Sequence, residues 1–265
     1  MSKPVALAVA AHPDDIELMM AGTLLLLGEA GYELHVMNVA DGCCGSATES
    51  REATAARRQD EAQESARALG AYWHPPIAHD LEIFHERSLI ARMGAIVREV
   101  RPTVMLVQSP QDYMEDHINT CRLAVTAAFT RGMPNVVTDP PLPPTDQEVT
   151  LYHALPWGLR GPLREQILAL QYVDVSTVLD RKRAALACHR SQKEWLDRTQ
   201  GLDSYLKTME VMARQVGAMS GWFELAEGWR RHLHLGFCSE KTDPLRHALG
   251  DKIISRDEED LRNGD

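Results

Sequence analysis

Two stretches of this 265-residue chain crowd metal-binding and acid–base side chains together. The first runs Ala10-Ala11-His12-Pro13-Asp14-Asp15-Ile16-Glu17, and the second Ser109-Pro110-Gln111-Asp112-Tyr113-Met114-Glu115-Asp116-His117. Neutral imidazole and carboxylate are good zinc ligands, and a catalytic zinc site takes three protein ligands plus water. A further carboxylate beside that water can take its proton. His12, Asp14 and Asp15 offer these types within one segment, and Asp116 and His117 offer them again far along the chain. The competing reading is structural. Asp14 or Asp15 would cap a helix starting near Ile16, with His12 in the turn, and Asp116 would cap the helix that His117 opens.

Both stretches follow apolar runs, Val5–Ala10 and Thr103–Gln108, that read as buried parallel strands. In open α/β sheets ligands bind beyond the carboxyl ends of strands, and two such ends can converge at a switch point. Helices are expected over Ile16–Ala30, closed by Gly31, over Glu52–Leu69, closed by Gly70, over Ser88–Val100, stopped by Pro102, and over His117–Arg131. Glu33–Val39 reads as another strand. Pro134–Pro144 reads as an irregular loop, Thr150–Leu155 and Tyr172–Val175 as short strands, and Arg181–Leu196 as a helix. Gly201–Trp229 is expected to be helical in large part, and Arg256–Asp265 to be a frayed charged tail. This alternation implies an α/β fold, Rossmann-like and three-layered, with a mostly parallel sheet. No repeat, low-complexity tract or linker divides the chain. It reads as one domain over 1–265, with a core to about 195, a C-terminal extension over about 196–255 and a tail over 256–265.

Composition narrows the function. Lys and Arg number 28 against 38 Asp and Glu, a net charge of −10, which argues against a nucleic-acid surface. Val5–Ala11 is too short to span a membrane, and His12-Pro13-Asp14-Asp15 follows where a signal peptide would carry its cleavage site. No membrane partner and a cytoplasmic location are therefore expected. Cys43, Cys44, Cys121, Cys188 and Cys238 are scattered, without a C-x-x-C pair, so neither a disulfide framework nor a cysteine-rich zinc site is expected. Gly42-Cys43-Cys44-Gly45 is not a G-x-G-x-x-G turn, which argues against a nucleotide-binding oxidoreductase.

Ala11-His12-Pro13-Asp14-Asp15-Ile16-Glu17, followed by Ala21-Gly22-Thr23, resembles the signature of the PIG-L / LmbE-like deacetylases, a family that includes bacillithiol- and mycothiol-pathway deacetylases. Asp116-His117 resembles the end of its second motif, Arg58-Gln59-Asp60-Glu61 its R-x-x-E helix, and His189-Arg190-Ser191-Gln192, after Lys182, its H-x-S-Q region. The resemblance covers the chain to about residue 195. It implies the LmbE-like fold and a zinc-dependent N-deacetylase acting on an N-acetylglucosamine-type or related N-acetyl sugar, with ferrous iron a possible alternative metal. It further implies that His12, Asp15 and His117 bind the metal and that Asp14 is the general base of zinc-activated water. Arg58 would hold sugar hydroxyls or a neighbouring loop, and Asp116 would stand behind the ligands.

One position departs from the family. Many members read H-P-D-H in the second motif, where the first histidine assists the oxyanion, and this chain has Met114-Glu115-Asp116-His117. Methionine donates no hydrogen bond, so the donor is expected from Tyr113, from His232 or His234, which would share a face if their segment is a strand, or from zinc alone. The alternatives are a hydrolase of another small N-acyl substrate and a catalytically degraded metal- or sugar-binding module. A homo-oligomer is compatible with the sequence.

Overall fold

The computed structural model describes residues 3–194 and 205–256. Val5–Ala10 forms strand β1, buried from Ala6 onward, as a strand covered on both faces must be. Beside it lie β2 (Glu33–Asn38) and β4 (Val104–Val107), and beyond them β3 (Tyr72–His74) and β5 (Thr150–Ala154), all paired in parallel. Strands β6 (Gln171–Asp174), β7 (Ala226–Arg231) and β8 (Ile253–Ser255) extend the sheet by antiparallel pairing. Among the described residues the order is β3-β2-β1-β4-β5-β7-β6-β8. The chain builds outward from β1 to β3, then returns to lay β4 against the other edge of β1. The switch point thus falls between the two strands that carry the histidine–aspartate segments.

Alternation along β1 feeds two cores. Ala6, Ala8 and Ala10 face a cluster containing Leu24, Leu27 and Trp229, while Leu7 and Val9 face one containing Met93, Val97 and Leu123. Helices α1 (Asp15–Met19), α2 (Ala21–Glu29), α3 (Arg51–Leu69), α4 (Arg87–Val100), α5 (Glu115–Thr130), α6 (Leu179–Leu186), α7 (Tyr205–Ser220) and α8 (Pro244–Leu249) supply the rest. Those on the two faces complete the three-layered α/β arrangement that the sequence implies.

The single helix expected over Ile16–Ala30 is instead broken at Met20 (φ −133°, ψ −22°). The break gives α2 its own N-terminus, whose Gly22 and Thr23 amides donate to the Glu227 carboxylate at 2.8 Å each. Lys182 Nζ sits 2.7 Å from the same carboxylate, and both side chains are buried. The lysine ahead of the H-x-S-Q region therefore fixes the helix that follows the first motif. Lys182→Met is expected to lower stability by about 3–5 kcal/mol, because it strands a buried carboxylate. Chemical denaturation checks this; a loss below about 1 kcal/mol would show that the two helix amides alone satisfy Glu227.

Three further expectations are corrected in whole or in part. The helix expected over Arg181–Leu196 is interrupted: it ends at Leu186, a turn at Ala187–Cys188 carries His189 inward, and helix resumes over 190–194; residues 195 and 196 lie outside the described residues. The helix expected over a large part of Gly201–Trp229 is α7, but it stops at Ser220 before Gly221 (φ 65°), and Trp229 itself is in β7; 201–204 lie outside the described residues. His232 and His234 lie past the end of β7, in a segment that turns through Phe237 N–H donating to His234 O at 2.9 Å, so strand alternation does not govern them. The tail expected over 256–265 falls outside the described residues except for Arg256. β3, β8 and α8 are short and carry no periodicity that a sequence window detects.

Candidate metal centre and acid–base site

The segment after β1 and the segment after β4 meet as the topology requires. His12, Asp15 and His117 each present one ligand atom, and these atoms lie within 4.8 Å of one another. Asp15 Oδ2 is at the centre, 3.5 Å from His12 Nδ1 and 3.4 Å from His117 Nε2. The outer ring nitrogens face carboxylates: His12 Nε2 is 3.1 Å from Asp116 Oδ2, and His117 Nδ1 is 3.0 Å from Asp112 Oδ1. The hydrogen bond to Asp116 fixes the His12 tautomer and aims its inner nitrogen, while Asp112 sits behind His117 as a charge partner, the kind of support that metal-binding histidines use. Gln108 Nε2 donates to Asp15 Oδ2 at 3.1 Å while its Oε1 accepts from Ala11 N–H at 2.9 Å, tying the two strand ends together. Asp116 also accepts from the Leu81 amide at 2.7 Å.

Electrostatics say the same. Burial alone would lower the His12 pKa, but Asp116 and Asp15 raise it to about 10. Burial would also lower His117, and Asp15 and Asp112 reverse this. Burial opposes ionisation of Asp15, yet His117 and His12 hold it well below the usual carboxylate range. The cluster therefore draws cationic charge to the point where the three ligand atoms meet, and a divalent cation there would displace the imidazole protons. The donor set of two nitrogens and one oxygen, with carboxylates behind, fits a metal.

Asp14 stands beside this centre with a backbone that only a constrained site holds. Its φ of 115° lies where residues other than glycine are rare. Its Oδ2 accepts from the buried Tyr205 hydroxyl at 2.7 Å, and its Oδ1 is 3.6 Å from Arg58 Nη2. Burial raises its pKa, and Arg58 acts against that rise. Neither Asp14 nor Asp15 caps α1 through its side chain in the way the structural reading requires, and the residue that caps α5 is Met114, not Asp116.

Arg58 is buried and holds neighbouring backbone, the second of its two expected roles. Its guanidinium donates to Pro13 O at 2.5 Å and Gly42 O at 3.2 Å. Gly42 has φ 80°, and a Cβ there would sit 2.6 Å from Arg58 Cδ, so this loop needs glycine on both counts. Glu61 accepts from Ser191 N–H and Oγ at 2.9 and 2.5 Å, and Gln192 Nε2 donates to Gly45 O at 3.1 Å. His189 is buried 3.3 Å from Glu17. The R-x-x-E and H-x-S-Q segments are thus two halves of one clamp around the loop that follows β2.

A cavity of ≈ 500 Å³ opens over His12, Asp14, Asp15 and His117, with Tyr113 and Met114 on its wall. The Tyr113 ring meets His117 edge-on at 5.9 Å. His232 and His234 are not among the residues that line it. His232 Nδ1 instead pairs with His153 Nε2 at 2.8 Å, and its ring packs on Phe237. Of the donors expected to replace the missing histidine, the cavity receives Tyr113 alone.

Sequence reasoning missed Tyr205, which approaches from α7 with no motif around it, and the bracing roles of Asp112 and Gln108. Those two stand at a strand end beside recognised residues, and that position was the available signal. Tyr205→Phe removes a hydrogen bond that lowers the Asp14 pKa. The carboxylate should then protonate at higher pH, so the acidic limb of the pH–rate profile is expected to move upward with metal content unchanged. A limb that stays in place would remove Tyr205 from the control of Asp14.

An α/β protein with a metal-fitting centre and an adjacent carboxylate at its switch point is thereby defined. Residues 7–128 match the family model described as PIG-L: GlcNAc-PI de-N-acetylase, so this chain contains a domain of the PIG-L (LmbE-like) family. It is 27% identical over 234 residues to the diacetylchitobiose deacetylase of Thermococcus kodakarensis, covering 84% of this chain and 81% of that protein. It is also 26% identical over 196 residues to a 4-oxalmesaconate hydratase of Pseudomonas putida, covering 71% and 74%. Among solved structures, the 4-carboxy-2-hydroxymuconate hydratase of Pseudomonas putida KT2440 superposes with a TM-score of 0.73 at 21% identity, covering 91% of this chain and 98% of that one. That likeness is one of fold.

Proposed function

We propose that this protein is a metal-dependent N-deacetylase that hydrolyses the acetamido group of an N-acetylglucosamine-type sugar. The supporting observation is the placement of Asp14, a buried carboxylate with one oxygen uncommitted to hydrogen bonding, beside the facing nitrogens and oxygen of His12, Asp15 and His117 within one cavity. A zinc or ferrous ion bound by those three residues would polarise the acetyl carbonyl and lower the pKa of water toward ~7. Asp14 Oδ1 takes the proton of the attacking water, while Tyr205 holds Oδ2 in place. Water oxygen bonds to the acetyl carbon, the C–N bond breaks, and the amine leaves with a proton that Asp14 returns. The products are acetate and a free amino sugar. Tyr113, at the cavity wall and edge-on to His117, takes the oxyanion-donor role in this reading, in place of the histidine absent at Met114. Among the described residues no helix is long and apolar enough to cross a membrane. The five unpaired cysteines favour a reducing, cytoplasmic setting.

The likeness to the 4-oxalmesaconate hydratase supports a second reading, in which the same centre adds water to a carbon–carbon double bond of an unsaturated carboxylic acid. A panel separates them. Metal-replete protein is incubated with N-acetylglucosamine, N,N'-diacetylchitobiose, other small N-acyl amines and an unsaturated tricarboxylate such as 4-oxalmesaconate, with acetate, free amine and loss of the double bond all measured. Acetate and amine in equal amounts from the sugars support the deacetylase, release from the other amides alone moves the substrate class, and double-bond loss without acetate supports the hydratase.

A further inference from the structure

The residues just past β2 and β3 are brought side by side by a parallel bridge between Ala40 and Ala78. Asp41 and His79 follow that bridge directly, with His79 Nδ1 2.5 Å from Asp41 Oδ2. Cys43 turns back toward them: its amide donates to Asp41 Oδ1 at 3.1 Å. One ligand atom each from Asp41, Cys43 and His79 lies within 4.8 Å of the others, and Asp41 and Cys43 are buried. A tetrahedral zinc ion holds its ligands about 3.4–3.8 Å apart, from metal–ligand distances of about 2.0–2.3 Å, so small side-chain shifts suffice. Carboxylate, thiolate and imidazole are all zinc ligands.

The surroundings favour a cation. Asp80, beside His79 in the chain, accepts from the Gly42 and Cys44 amides at 2.7 and 2.9 Å, which fixes the loop that presents Asp41 and Cys43. Asp41 and His79 also border a second cavity, of ≈ 560 Å³, whose wall includes Glu82 and Glu86 and which gives an ion and a fourth, water ligand a path in. His79 is 60% exposed through its side chain, yet its Nδ1 points inward at Asp41. Arg51 Nε, 3.2 Å from Cys43 Sγ, stabilises a thiolate from the other side.

We propose that Asp41, Cys43 and His79 form a second divalent-metal site of zinc type, distinct from the His12–Asp15–His117 centre. An ion there pins the β2–α3 loop to the β3–α4 loop. The first of these holds Arg58 through Gly42 O, and the second holds Asp116 through the Leu81 amide, so the ion braces the deacetylase centre from outside it. Burial, then Asp41, push the Cys43 thiol up to about 12, so binding must displace a proton.

Cobalt(II) distinguishes the two sites, because His12, Asp15 and His117 include no sulfur. The full chain saturated with cobalt should show a thiolate-to-cobalt charge-transfer band in the near ultraviolet. That band should survive in His117→Ala and in Cys44→Ser, and vanish in Cys43→Ser and in His79→Ala. His79 is largely exposed, so His79→Ala tests the site even if Cys43→Ser folds poorly. Zinc content should likewise fall from two ions per chain to one in the Cys43 and His79 variants. Absence of the band in wild type, its persistence in Cys43→Ser, its loss in Cys44→Ser, or a single zinc per saturated wild-type chain would each overturn the proposal.

Discussion

Replacing Asp14 with asparagine is expected to lower kcat by ~10²–10⁴-fold, the scale for a positioned acid–base group, with metal content unchanged. Asparagine keeps the shape, and its amide can still face the Tyr205 hydroxyl through an oxygen, but it cannot take a proton. The strained backbone at φ 115° tolerates asparagine about as well as aspartate, since both visit the left-handed region more readily than most residues. Replacing a buried carboxylate with a neutral amide also relieves its desolvation, so thermal stability should hold or rise slightly. Near-normal kcat in a metal-replete, folded Asp14→Asn protein would remove Asp14 from the mechanism and leave the site without its base.

The second large effect concerns the three proposed ligands. His12→Ala, Asp15→Ala and His117→Ala are each expected to lose one equivalent of metal and nearly all activity while the sheet remains folded. Asp15 should be the most sensitive, because its Oδ2 lies between both imidazoles and takes hydrogen bonds from the His12 amide at 2.8 Å and from Gln108 at 3.1 Å. Removing either histidine leaves a carboxylate, Asp116 or Asp112, without its imidazole partner, which should cost stability as well as affinity. Metal analysis after dialysis, with circular dichroism to confirm folding, reads both outcomes. If all three variants kept the full metal content and turnover of wild type, the site would lie elsewhere.

The parts of this arrangement legible in the sequence are those with local causes. The apolar run Val5–Ala10 and the glycine stop after α3 mark a strand and a helix end without tertiary information, and the two strand-end clusters point to one site once a parallel sheet is assumed. The break at Met20 was not legible, because it answers to Glu227, more than two hundred residues away. The C-terminal histidines were misplaced for a related reason: alternation between Trp229 and Phe237 looks like a strand, but the strand stops at Arg231 and His232 is taken by His153 from β5. Tyr205 was invisible because a tyrosine on a helix has no spacing that marks it. Its role exists only where α7 crosses Asp14.

The most direct test of the central claim is to strip the protein of metal with a chelator and return zinc in steps, following acetate release from N,N'-diacetylchitobiose. The stripped protein is expected to release nothing, wild type to release acetate in step with returned metal and with one free amine per acetate, and His117→Ala to give a flat response. Fully reloaded, folded wild-type protein that liberates no acetate from any N-acetyl sugar, or release that continues undiminished in the stripped protein and in His117→Ala, would contradict it.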